Sequence, residues 1–431
     1  MADPTSAPSV PGPAVEPDGR TCRSWRETLV ALAAAVVTVV AMGALTNRLE
    51  PTWYFYDEQA YLKMAVEGVQ AVKPVTAPFA YRPGTTMLAG AVARIAHVPP
   101  ARAYAGIAAV ALPLFLLCLY ALARAYTPSR WRAGIATLLV AFSYSAMKRL
   151  IFNPIGPDAL GLLLTAVACL LLVQRRYLLL ALCTTLGVTC REFVIVPAVA
   201  AAIAARGTIG WRAPRSLRPL LPLVGGLLAA LLVRLVIRVD VSNQHLDPLT
   251  PSTWHRALLV FDERWLVNDV GALATFLWPL LCVPWRSAPA AASADPPAGG
   301  APGPGRLPAW AVTYGALLFV ITLFAGTNFV WFAAYFAPLL VVAWVLKGPP
   351  RAFGLDLVLL GLVVAVNHTV EPIPSPRDFQ NYVSYMSFYS SNLDLHTGVR
   401  ALVIAAAATA YMGLAALWRE RARPGGPAGP P

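Results

Sequence analysis

Charge is what this 431-residue chain has least of: Asp, Glu, Lys and Arg together make up only 13% of it. A soluble surface ordinarily draws on about twice that share, so an ordinary soluble domain is excluded. Strand-like alternation is missing as well, which excludes an outer-membrane barrel. No internal repeat is present of the kind that marks the inverted halves of many transporters. Of the six cysteines, Cys118, Cys169, Cys183, Cys190 and Cys282 fall in or beside apolar runs and Cys22 precedes them. No external pair is left to build a disulfide framework, and the cysteines read as small packing residues. The Pro-, Ala- and Ser-rich start is unlike a signal peptide.

What the chain has in abundance is hydrocarbon. Hydrophobic residues account for 58% of it. Apolar runs at 28–45, 104–123, 219–237, 329–346 and 401–417 approach the roughly 20 residues that cross a bilayer as helix. Ala, Leu and Val dominate, so the expected fold is all-α: a polytopic transmembrane helical bundle.

A net charge of +13 would suit a nucleic-acid partner only if the basic residues formed a surface patch. They cluster instead in short loops: Arg124, Arg130 and Arg132; Arg175 and Arg176; Arg206, Arg212, Arg215 and Arg218; Arg419, Arg421 and Arg423. That is the signature of loops retained in the cytoplasm, and no nucleic-acid partner is needed to explain it. The run 84–97 is apolar but carries Arg94 and His97; as helix it would rise only about 21 Å, short of the ~30 Å hydrocarbon core. Placed on the outer face, it leaves every arginine cluster inside. The spans then fall near 27–46, 104–123, 133–150, 157–173, 178–190, 193–205, 219–237, 270–285, 310–325, 328–346, 354–367 and 399–418. This makes about 12 crossings (10–13 are compatible with the hydropathy), in the plasma (inner) membrane with both termini cytoplasmic. The pairs at 178–205 and 310–346 are the ones open to another count, since 178–190 and 193–205 are short enough to form one bent helix.

The organisation follows from these spans. Residues 1–26 form a disordered cytoplasmic tail, and 27–285 a front module whose first outer loop is 47–103. A Pro/Ala/Gly linker occupies 286–309, rear helices 310–418, and a second tail 419–431.

Chemistry collects on the outer side. The first outer loop opens with Trp53-Tyr54-Phe55-Tyr56-Asp57-Glu58-Gln59 and continues to Pro78-Phe79-Ala80-Tyr81-Arg82-Pro83. Adjacent carboxylates among aromatics at a membrane interface are expensive to keep there without a use. Further out-facing segments are Asn153-Pro154-Ile155-Gly156-Pro157-Asp158 and Cys190-Arg191-Glu192-Phe193. Each residue also has a plainer reading. Asp57 and Asp158 could cap the helices that follow them. Arg82 could snorkel to headgroups, and Arg191-Glu192 could neutralise each other at a helix turn. The loop 240–247 reads as solvated. Arg377 shares its loop with Tyr382, Tyr385, Phe388 and Tyr389, aromatics that suit either a sugar or an interfacial belt.

One amino-terminal span, an outer loop with an acidic pair, an amphipathic helix and then Phe-Ala-Tyr-Arg-Pro resemble the GT-C class of membrane glycosyltransferases. The resemblance is to bacterial relatives of the dolichyl-phosphate-mannose-protein mannosyltransferases, over roughly residues 27–240. It implies that Asp57, or else Glu58, is the catalytic base, that Asp158 serves metal or acceptor, and that Arg82 and Arg191 hold a lipid phosphate. Tyr81, Glu192 and Arg377 complete the candidate substrate-binding set. The implied partners are a polyprenyl-phosphate sugar donor, a glycan, lipid or protein acceptor, and membrane lipids. No cofactor is required, a divalent cation (Mg or Mn) is optional, and no residue is assigned as a metal ligand. The chain departs from many members in appending no large external domain, which leaves the acceptor open. The rival classes are a lipid or solute transporter or flippase, and a non-enzymatic membrane protein of an envelope complex. No string of intramembrane acids resembles a proton relay, which counts against the transporter.

The orientation has a direct test. Single cysteines introduced near Glu67 and Asn243 are expected to react with an impermeant thiol reagent in intact cells, and one near Arg212 is not. Labelling at Arg212 from outside would overturn the orientation.

Overall fold

A computed structural model describes residues 25–46, 48–49, 56–68, 81–208, 214–237, 273–282, 307–324, 332–347, 353–369 and 393–421. Its helices are α1 (Trp25–Ala44), α2 (Tyr56–Glu67), α3 (Pro83–Ala96), α4 (Pro100–Arg124), α5 (Arg130–Ala141), α6 (Arg149–Phe152) and α7 (Asp158–Val173). They continue as α8 (Tyr177–Cys190), α9 (Val196–Thr208), α10 (Leu221–Val236), α11 (Ala309–Phe324), α12 (Ala337–Lys347), α13 (Phe353–Thr369) and α14 (Leu393–Arg421). No strand occurs among the described residues, and the expected all-helical architecture is observed.

Among the described residues, four stretches are long and apolar enough to cross a membrane: α1, α4, 217–236 and 401–418. A fifth is added if α5 and α6 form one broken span. These helices turn large apolar side chains outward, among them Val30, Val37 and Val40 on α1, Leu231, Leu232 and Leu235 on α10, and Leu402 on α14. Such a belt is untenable in water and natural in lipid, so the protein is membrane-embedded.

The interior is apolar and aromatic. α4 packs on α7 and α1, α8 on α10, and α9 on α11. Phe115, Trp278, Tyr314, Tyr335, Trp344 and Tyr411 are fully buried between them. Local sequence fixes the helix ends. Pro83 and Pro100 occupy first-turn positions where no backbone donor is lost. Ser129 accepts from the Arg132 amide at 3.2 Å to cap α5.

One expectation changes. The apolar run 133–150 is not one straight helix: α5 stops at Ala141, a π-helical turn covers Tyr144–Lys148, and the segment Ala146–Phe152 lies at 61° to α5. A π turn leaves i→i−4 bonds unmade, and kinks gather at such places. The expected division of 178–205 into two helices is observed, and the alternative of one bent helix is not. Arg191 is extended (φ −154°, ψ 131°) and a 3₁₀ turn spans Glu192–Ile195. A Cβ on Gly187 would lie 2.4 Å from Val194, whereas a continuous helix would hold those residues about 10 Å apart. The chain doubles back there, and only a residue without a side chain allows the approach.

Polar contacts separate the two ends of α4. At its carboxyl end Glu27 accepts from Arg124 (2.8 Å), Arg130 (3.0 Å) and Tyr120 (2.9 Å), tying α1 to the α4–α5 turn. Trp131 donates to Asp356 (3.1 Å) and Trp310 to Tyr126 (2.9 Å) at the same end. Its amino end meets α2, where Tyr104 donates to the Tyr61 carbonyl at 3.5 Å. Glu27→Ala would strand the largely buried Arg124, a loss of about 1–3 kcal/mol. A clear drop in the thermal unfolding midpoint in detergent is expected, with Glu27→Gln milder because an acceptor is retained. An unchanged midpoint for Glu27→Ala would mean the tie carries no stability.

Candidate functional site

Three of the chain segments singled out by sequence converge beyond the amino end of α4. α3 begins at Pro83 and fixes Arg82 just before it, and the α8–α9 turn supplies Arg191 and Glu192. α7 begins at Asp158. The plainer reading, in which Arg191 and Glu192 neutralise each other, is not observed. The pairing is crossed: Arg82 Nε lies 3.0 and 3.1 Å from the two Glu192 oxygens, and Arg191 Nε lies 3.1 Å from Asp158 Oδ1. With Arg191 extended, the two side chains leave the backbone in different directions, and each finds its partner on another helix. The Arg191–Asp158 contact is ionic rather than an aligned hydrogen bond, since the Nε–H points off the oxygen.

Aromatic side chains close the cluster. The Arg191 guanidinium sits 5.7 Å from the Phe193 ring centre and 5.6 Å from that of Phe332, which compensates part of its lost hydration. Tyr335 stacks on Phe193 at 4.8 Å, and its hydroxyl reaches Asp158 Oδ1 at 3.4 Å. Arg82 donates from Nη1 to the Tyr61 hydroxyl at 2.8 Å. Burial pushes the Tyr61 phenol up to about 12, beyond what Arg82 and Arg191 pull back, so it remains an O–H group at neutral pH. Burial works against the Arg82 charge, but Glu192 and Tyr61 outweigh it and hold that group above its usual value.

The segment 153–158 is shaped to admit Tyr61. Asn153 donates to Glu58 and accepts from the Ile155 amide at 3.2 Å. Gly156 adopts φ +137°, a conformation closed to most side chains, and lies over the Tyr61 ring. The buried face of α2 is accordingly Glu58, Tyr61 and Met64, with Gln59, Lys63 and Glu67 exposed. α2 ends at Glu67, and the residues that follow Gly68, up to 80, lie outside the described ones.

The sequence candidates therefore divide. Arg82, Asp158, Arg191 and Glu192 come together, and Glu58 joins them through Asn153. Tyr81 stands beside the cluster, with Arg234 of α10 5.0 Å above its ring. Asp57 is in the first turn of α2; its side chain lies outside the described residues, as does Arg377. Asp158 follows the capping position, held by Pro157, and its carboxylate goes to Arg191. Sequence reasoning missed Tyr335 and Phe332. The one available signal was a tyrosine within an apolar run, whose hydroxyl requires a buried partner. Among the described residues no group of three or more His, Cys, Asp or Glu is placed to hold a metal ion.

No protein-family model matches the chain, and none of the curated proteins does. What this geometry can do chemically is hold an anion beside paired guanidinium groups and present carboxylates to it.

Close packing makes the cluster testable through Gly161. A Cβ on Gly161 would lie 2.6 Å from the Tyr335 hydroxyl and 2.8 Å from Arg191 Cβ. Gly161→Ala is expected to destabilise by about 1–3 kcal/mol through overpacking. Gly134→Ala on α5, where nothing lies within 4 Å, is expected to be neutral or to stabilise by up to about 1 kcal/mol. Thermal unfolding of both proteins checks the contrast; equal effects would mean that Asp158, Arg191 and Tyr335 are not packed as described.

Proposed function

We propose that the chain is a GT-C-like membrane glycosyltransferase of about 12 spans, set in the plasma membrane with both termini in the cytoplasm. It moves a sugar from a polyprenyl-phosphate donor to an extracytoplasmic acceptor. The observation that carries the reading is the convergence of Arg82, Asp158, Arg191 and Glu192, drawn from three separate segments, beside the helix that bears Asp57 and Glu58. Buried, paired charge at one end of an apolar bundle is costly to maintain and marks a working site. The sidedness agrees with it: the arginine ties of Glu27 occupy the opposite end of α4.

In this mechanism the donor enters from the outer leaflet with its phosphate at Arg82 or Arg191. A carboxylate of the acidic pair takes the proton of the acceptor hydroxyl as that oxygen attacks the anomeric carbon, and the configuration inverts. The phosphate leaves as an anion beside the guanidinium groups, so no general acid is needed. Glu58 is buried and accepts a hydrogen bond from Asn153, which suits a positioning role and favours Asp57 as the base.

Transfer of radiolabelled sugar from polyprenyl-phosphate donors by the purified protein is the direct test, run beside a vesicle assay for transport of the same lipids. Asp57→Asn is expected to lower transfer by about 10²–10⁴ while leaving donor binding intact. Glu58→Gln, which keeps an acceptor for Asn153, is expected to retain appreciable activity. Near-normal turnover by Asp57→Asn would remove its carboxylate from the chemistry, and transport without transfer would favour a flippase.

A further inference from the structure

The four charges at the α8–α9 turn are not equivalent. The Arg191 and Asp158 side chains are 6% and 7% exposed and Arg82 is 11% exposed, whereas Glu192 is 42% exposed. An anion arriving from outside therefore meets Glu192 first and finds Arg82 already neutralised behind it. The two ion pairs also differ in how firmly they are held. Arg191 is fixed between Phe193 and Phe332, with Tyr335 against its partner Asp158. Glu192 meets Arg82 through Nε alone, both oxygens on one nitrogen, rather than through the two-nitrogen fork that makes guanidinium–carboxylate pairs strong. It stands at the start of a 3₁₀ turn after an extended residue, and its side chain is the most exposed of the four.

We infer that Glu192 is an exchangeable counter-ion: the phosphate of a polyprenyl phosphate displaces its carboxylate from Arg82, and Glu192 swings outward as the lipid binds. The inference rests on the reading of Arg82 as a lipid-phosphate site. Glu192 sets the specificity of that site. With the carboxylate in place, Arg82 offers little to a weakly coordinating anion, and a ligand must present enough phosphate contacts to replace the internal pair. Without any ligand, Glu192 spares Arg82 from standing uncompensated in a poorly hydrated place. Tyr61 keeps its hold on Nη1 through the exchange, so the guanidinium stays oriented while its other partner changes.

The test is equilibrium binding to the full-length protein in nanodiscs, with polyprenyl phosphate as one probe and the uncharged polyprenol as the other. Glu192→Gln removes the competing charge and is expected to bind polyprenyl phosphate about tenfold more tightly, a gain of about 1.4 kcal/mol. Its affinity for polyprenol is expected to stay at the wild-type value. R82Q/E192Q is expected to lose the gain and bind no better than Arg82→Gln alone. Unchanged or weaker phosphate binding by Glu192→Gln would overturn the proposal, and so would a gain that survives without Arg82. Loss of polyprenol binding would overturn it too, by making Glu192 a structural strut. Because the readout is binding, the outcome is independent of catalysis: tighter binding without sugar transfer would retain the exchange and remove the transferase reading. Transfer by a wild type whose Glu192→Gln variant gains nothing would do the reverse.

Discussion

Two guanidinium groups at one end of an apolar bundle have to be neutralised, and the rest of the structure is arranged around that requirement. An uncompensated buried charge costs several kcal/mol, so Arg82 and Arg191 each need a carboxylate delivered to a fixed place. The α8–α9 reversal delivers Glu192 to one, and the start of α7 delivers Asp158 to the other. The reversal depends in turn on Gly187, against which Val194 packs, and the placement of Asp158 depends on Gly161, against which Arg191 and Tyr335 pack. α2 lies across this assembly because Tyr61 reaches Arg82 and Glu58 reaches Asn153.

A neutral cluster of this kind is poised rather than inert. Pairs buried on all sides, like Arg191 with Asp158, act as rivets: their members have nowhere better to go. A pair with one accessible member is different, because the energy of its contact can be replaced by a ligand. Nearness of the two kinds at consecutive positions, 191 and 192, places a fixed charge next to a replaceable one. Recognition of an anion then needs no large movement of helices.

Much of the helical framework was legible in the sequence. Apolar runs located α1, α4 and α10, and the short helix expected over 84–97 corresponds to α3. Residue types also marked the cluster, because charged side chains beside apolar runs are rare. Their pairing was not legible. Arg191 and Glu192 are neighbours and invite a local ion pair, and only the extended backbone at Arg191 sends them to different partners. The contribution of Tyr335 was hidden for a related reason: it follows from a contact with Asp158 across 177 positions, and nothing near Tyr335 in sequence announces it. The bend after Ala141 was missed because hydropathy reports composition and not hydrogen-bond register, which the π turn alters while the apolar character persists.

The helices that carry the cluster are short. α7 has 16 residues and α8 has 14, which at 1.5 Å per residue gives roughly 21–24 Å against a hydrocarbon core of ~30 Å. In the proposed transferase, where both cross the bilayer, the lipid beside them would have to thin, or their flanking side chains reach out, to meet ends this close together. A polyprenyl phosphate approaching Arg82 and Glu192 would then come in where the membrane is thinnest, its headgroup drawn inward before any contact is made. On that reading the short helices make the bilayer itself part of the entrance.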